Sequence, residues 1–149
     1  MDPETIIKTI KSLETNFTQE IDIYKAIYEL TVKENESILS GSIDKTLEYV
    51  KQKQDLLLKI ENIERDQLAV KKIWSECRHQ VPEKSKLIIK EKLSLLSALL
   101  EQLIDLEKKN EIVLSETILR VKSQKTYPST PSINAAEAYK DKNRNLRNN

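Results

Sequence analysis

The chain has 149 residues, 38% hydrophobic and 33% charged, with a formal net charge of +1. Lys and Arg (25) nearly balance Asp and Glu (24), so no global field draws in nucleic acid or an acidic substrate. Aromatic residues make up only 5%, too few for base-stacking platforms. The length suits one domain. One glycine and four prolines leave little room for loops, and the abundance of Leu, Ile, Lys, Glu and Gln belongs to long amphipathic helices. The expected fold class is all-α: an antiparallel bundle or coiled coil of three long helices over residues 1–124, then a flexible C-terminal tail at 125–149.

Cys77 is the sole cysteine, so no intramolecular disulfide can form, which suits a reducing compartment. The opening MDPETIIKTIKS lacks the basic region and continuous apolar core of a signal peptide. The most apolar stretch, Leu93 to Leu100, is far short of the roughly 20 residues that span a bilayer. The expectation is a cytoplasmic protein without stable membrane insertion.

In chain order, Asp2 followed by Pro3 is a helix start, an N-cap acid ahead of a proline at the first helical position. Ile6, Ile10, Leu13, Phe17, Ile21, Tyr24, Tyr28, Thr31, Asn35 and Ile38 then recur at alternating spacings of about 3 and 4, a heptad seam. The first helix should span about 3–39. Gly41 stands where a helix C′ residue enters the left-handed region, and Ser42 can cap the next helix. The second helix, about 43–79, carries its seam on Leu47, Val50, Gln54, Leu57 and Ile60, and Pro82 ends it.

The third helix, about 83–124, has a seam through Ile88, Lys92, Leu95, Leu99, Leu103 (or Gln102), Leu106, Asn110, Val113, Thr117 and Arg120. Its centre is apolar nearly all round. Short connections force antiparallel neighbours, which puts Thr31, Gln54 and Asn110 at similar heights. A polar layer is expected there, setting register as a buried Asn does in coiled coils. Beyond residue 124 the composition turns polar, too poor in apolar groups for a packed core. Ser132 could cap a short helix through Ala135, Ala136, Ala138 and Tyr139, which alone would be marginal in water.

The chemistry of catalysis is missing from this pattern. His79, the only histidine, lies close to Cys77, and a C-x-H pair without further Cys or His makes no zinc site. The carboxylates are interleaved with lysine and read as solvated helix surface. No glycine-rich loop cradles phosphate. The basic run KDKNRNLR has no interleaved aromatics, so its nucleic-acid reading is weak. The expectation is a non-enzyme with no cofactor and no metal.

What remains is surface. From the helix lengths, the last turns of the third helix overhang the Gly41 end, leaving Val113, Leu114, Ile118 and Val121 incompletely covered. Exposed apolar area of that sort marks a partner site.

The centre of the chain resembles the FlgN family of flagellar export chaperones. Glu34-Asn35-Glu36-Ser37-Ile38-Leu39-Ser40-Gly41 is similar to the family's E-x-x-A-L-x-x-G turn. Lys53-Gln54-Asp55-Leu56-Leu57, followed by Ile60, Ile63, Glu64 and Arg65, resembles its K-x-x-L-L segment and E-x-x-R-like ending. Leu106, Asn110, Val113 and Leu114 resemble its L-x-x-x-N-x-x-L-L segment, and Tyr127 falls where many members have a tail tyrosine. Three positions depart: Glu107 stands for a frequent Asn, Ser42 for a common Asp, and Pro128 for the usual Gly.

The resemblance implies a chaperone that binds the C-terminal apolar helices of the hook–filament junction (hook-associated) proteins. It would deliver them to the flagellar type III secretion apparatus, with export-gate components as further partners. It places the client site on Asn110, Val113, Leu114, Thr117, Ile118, Val121, Tyr127, Ile133 and Tyr139. The alternative is a structural coiled-coil subunit or tether with no secreted client.

Overall fold

A computed structural model of the chain describes residues 1–122 and 135–147. It contains α1 (Pro3–Leu39), α2 (Ile43–Cys77), a 3₁₀ turn (Arg78–Gln80), α3 (Glu83–Lys122) and α4 (Ala135–Arg147). The all-α class stands, and four helices replace the three expected. At 1.5 Å per residue, α1, α2 and α3 are each about 50–60 Å long.

The helix starts and stops follow from local chemistry. The Asp2 carboxylate accepts from the Glu4 amide at 3.2 Å and from the Thr5 hydroxyl at 3.1 Å, satisfying donors that the first turn leaves unpaired. Gly41 has φ +75° and closes α1. The Ser42 amide donates to the Ser37 carbonyl at 2.8 Å and the Gly41 amide to that of Ile38 at 3.1 Å, the paired bonds of a Schellman stop. Ser42 does not cap α2 with its side chain; its hydroxyl lies 3.2 Å from that of Ser40. A Cβ at Gly41 would meet nothing within 4 Å, so the cost of Gly41→Ala lies in the backbone alone. It should destabilise the protein by about 1 kcal/mol in chemical denaturation, without a change in helix content. At the other end α2 unwinds into the 3₁₀ turn, and Val81 is extended (ψ 135°), as a residue before proline must be.

α1 and α2 run antiparallel from the Gly41 turn, with the Ser37 and Thr46 hydroxyls 2.6 Å apart. α3 runs parallel to α1 at a constant sequence offset: Lys92 donates to Thr18 at 3.0 Å (offset 74) and Asn35 to Asn110 at 2.8 Å (offset 75). Both α2 and α3 pack along α1. α4 packs chiefly on α3 and runs antiparallel to it, with Ala136 beside Glu111 and Asn143 beside Ser97. It reaches across to α2, where Lys142 meets Glu64 at 3.3 Å.

The core runs along α1 as Leu13, Phe17, Ile21, Tyr24 and Ile27, joined by Ile60, by Leu96, Leu100 and Leu103, and by Tyr139 of α4. Each fully buried aliphatic side chain there contributes about 1.5–3 kcal/mol. A smaller cluster of Ile6, Cys77 and Val81 closes the far end. The α1 seam is as expected, from Ile6 to Ile38.

The α2 seam is rotated by about one residue. Thr46, Val50, Lys53, Ile60 and Gln67 are buried, while Leu47 and Gln54 are exposed. The polar residues at 46 and 53 go inward because partners await them, Ser37 for Thr46 and two carboxylates for Lys53. On α3, Leu96 is buried and Leu95 is half exposed. Among the described residues no helix is long and apolar enough to cross a membrane.

Candidate partner-binding site

The expected polar layer exists, with a different membership. The Thr31 hydroxyl donates to Glu107 at 3.2 Å, and the Asn110 amide donates to the Thr31 carbonyl at 3.0 Å. Asn35 completes the group through its bond to Asn110. Gln54 is outside it. In its place Lys53 contacts both Glu34 and Glu107, and all three side chains are buried. The residues that carry the FlgN resemblance at these heights, Glu34, Gly41, Lys53 and Asn110, are thus the turn and the buried layer. Glu107, where the sequence departs from that pattern, supplies the second carboxylate.

Two carboxylates around one ammonium leave an excess negative charge when both are ionised. Glu34 Oε1 and Glu107 Oε2 have no hydrogen-bond partner among the described residues. Burial pushes the Glu34 carboxyl above its ordinary range, Lys53 opposes that, and Glu107 adds to it. Tyr139 lies over this cluster from α4, with its hydroxyl buried and without a hydrogen-bond partner among the described residues. Burial, with Glu107 and Glu34 nearby, pushes that phenol upward and keeps it neutral. About four turns away along α1, Glu20 is also buried, and its carboxyl is pushed up to about 7 by burial and by Glu64, against Lys71 and Lys142. The expectation that carboxylates occupy solvated faces therefore fails at Glu20, Glu34 and Glu107. Their positions relative to neighbouring helices, not their sequence spacing, put them inside.

The expected client residues divide. Asn110 and Leu114 are interior, at 2% and 8% exposure. Val113, Thr117 and Ile118 are half-buried, and the Thr117 hydroxyl is turned back to the Val113 carbonyl at 2.8 Å. The side chain of Val121 and residues Tyr127 and Ile133 lie outside the described residues. Tyr139 is fully buried against its own chain.

The overhang is as expected from length. With Asn35 beside Asn110, the end of α1 at Leu39 lies near residue 114, and the last eight or so residues of α3 run about 12 Å past the turn. Leu119 is the apolar group most exposed there, at 68%, and Ile112, level with the last turn of α1, is exposed at 59%; neither was singled out from the sequence. Their i, i+7 spacing was the available signal.

Among the described residues no group of three or more His, Cys, Asp or Glu side chains is gathered to hold a metal. His79 is exposed at the end of α2 beside Gln80, and Cys77 is buried. The comparisons with protein-family models, with curated proteins and with solved structures return no match.

Proposed function

We propose that this protein is a cytoplasmic, non-enzymatic export chaperone of the FlgN type. Its clients are the C-terminal apolar helices of the hook–filament junction proteins, which it passes to the flagellar type III secretion apparatus. The observation that carries this reading is the end of α3, which runs past the Gly41 turn with Leu119 exposed and Ile118 half covered, next to the exposed Ile112 and half-covered Val113 beside the turn. An apolar helix end extending beyond its bundle can be covered by another amphipathic helix. A secreted subunit whose assembly helix would aggregate when free supplies such a helix. The resemblance around Glu34–Gly41, Lys53–Leu57 and Leu106–Leu114 supports the choice of client class.

The test is calorimetry of the full chain with the C-terminal segments of the junction proteins from the same organism. A parallel titration uses Ile112→Asp with Leu119→Asp. Saturable 1:1 binding is expected, weakened at least tenfold by the double substitution, a loss of about 1.4 kcal/mol. Absence of binding to every such segment would overturn the reading in favour of a structural coiled-coil subunit.

A further inference from the structure

The C-terminal helix α4 sits in the channel between α2 and α3, and it is an unusual occupant. Its sequence, AAEAYKDKNRNLR, is mostly polar, with four basic side chains against two acidic ones. Among its described side chains only Ala136, Tyr139 and Asn143 are fully seated. The Tyr139 hydroxyl is buried without a hydrogen-bond partner among the described residues. A cleft of about 370 Å³ remains beside α4, lined by Tyr24, Leu96 and Leu100 of the bundle and by Ala138 and Leu146 of α4. A helix of 13 residues has little stability of its own in water. Its charges match the walls: Lys142 pairs with Glu64 and Arg147 with Glu101.

The channel also outlasts the helix. α4 covers α3 from about Glu111 to Ser97. Below it the same faces of α2 and α3 continue as an open groove of about 520 Å³, lined by Trp74, Ile89 and Leu93 and flanked by Arg78, Lys86 and Lys90. Glu83, paired with Lys86 at 3.3 Å, is the only acid in that lining. α4 therefore fills about half of the length available between residues 83 and 111 of α3.

We infer that the α2/α3 channel is a docking site for an amphipathic helix of a protein partner about twice as long as α4, and that α4 is its tethered internal competitor. The partner helix runs antiparallel to α3. Its first half repeats the α4 pattern: a small residue, an aromatic three positions on and an apolar residue seven further, with basic flanks facing Glu64 and Glu101. Its second half is apolar toward Trp74, Ile89 and Leu93 and acidic toward Arg78, Lys86 and Lys90. Tethering gives α4 a high effective concentration but few contacts. A longer helix displaces it by adding the lower groove. This inference rests on the helix-binding reading above but not on the identity of the client.

The test uses a fluorescent probe peptide: residues 135–147 followed by three turns with Leu on the groove face and Glu beside it. Binding to the full chain is followed by anisotropy. Because apparent affinity scales with the fraction of open channel, Tyr139→Ala should tighten the probe about tenfold. Hydrogen exchange should show α4 amides released in that variant while α1 to α3 stay protected. If α1 to α3 also lose protection, Lys142→Glu replaces it, since that residue lies at the rim. Lys86→Glu with Lys90→Glu should weaken the extended probe about tenfold and leave an unextended 135–147 peptide unaffected. Unchanged or weaker probe binding in the α4 variants, or no binding at all, would overturn the inference. Probe binding without any binding of junction-protein segments would sink the client reading alone. Binding of junction-protein segments without any binding of the probe would sink this inference alone.

Discussion

Lys53→Ala should cost about 3–5 kcal/mol in chemical denaturation, enough to unfold a large fraction of a marginally stable bundle. The reason is the company Lys53 keeps. Its ammonium touches Glu34 and Glu107, both fully buried, and supplies the countercharge at that level of the core. Without it, two carboxylates are left in a poorly solvated interior with no countercharge between them. Glu107→Gln should behave in the opposite sense. It removes one carboxylate, keeps a hydrogen-bonding group beside Thr31, and leaves Glu34 and Lys53 as a balanced pair. The expected change is between zero and about 2 kcal/mol of stabilisation. If Lys53→Ala proved neutral, the buried cluster would not be a defining feature of the fold.

Stability should fall as pH rises from about 4.5 to about 7, which is unusual for a carboxylate-rich protein, and Glu20 is the main cause. Its carboxyl is held up to about 7 in the folded state, above its ordinary value, chiefly because it is buried. A group with a raised folded pKa contributes its full stability below the unfolded pKa, where both states are protonated. As pH rises the unfolded chain ionises first, so stability declines until the folded carboxyl ionises too. A shift of this size corresponds to about 3 kcal/mol across that window. Glu34 acts in the same direction. Glu20→Gln should flatten the profile, leaving stability at pH 4 nearly unchanged and raising it at pH 8 by about 2 kcal/mol. A profile of Glu20→Gln with the same slope as the unchanged protein would assign the pH dependence to other groups.

Much of the bundle is legible in one dimension because helix periodicity and stop signals are local. The heptad positions from Ile6 to Ile38 require only a 3.6-residue repeat and one apolar stripe. Asp2, Gly41 and Pro82 act within a turn or two of their own positions. The polar layer was legible as an equal-height argument, which placed Thr31 and Asn110 together. The overhang of α3 followed from counting residues.

Other features were not legible, for a common reason. Whether Leu47 or Thr46 faces inward on α2 differs by about 100° of rotation, and the apolar count along α2 favours Leu47. The partners on α1 and α3 decide it, and they bring Lys53, Glu34 and Glu107 together from three helices. The sequence also undervalued α4. Its polar composition forbids an independent core, yet Ala136, Tyr139 and Asn143 need only a channel that α2 and α3 have already formed. By itself, then, the sequence determined the all-α class and the punctuation at Asp2, Gly41 and Pro82, because those depend on interactions within a few residues. Only the tertiary structure decided which charges are buried and where the C-terminal helix lies, because those depend on groups 19 to 78 positions apart meeting across helix faces.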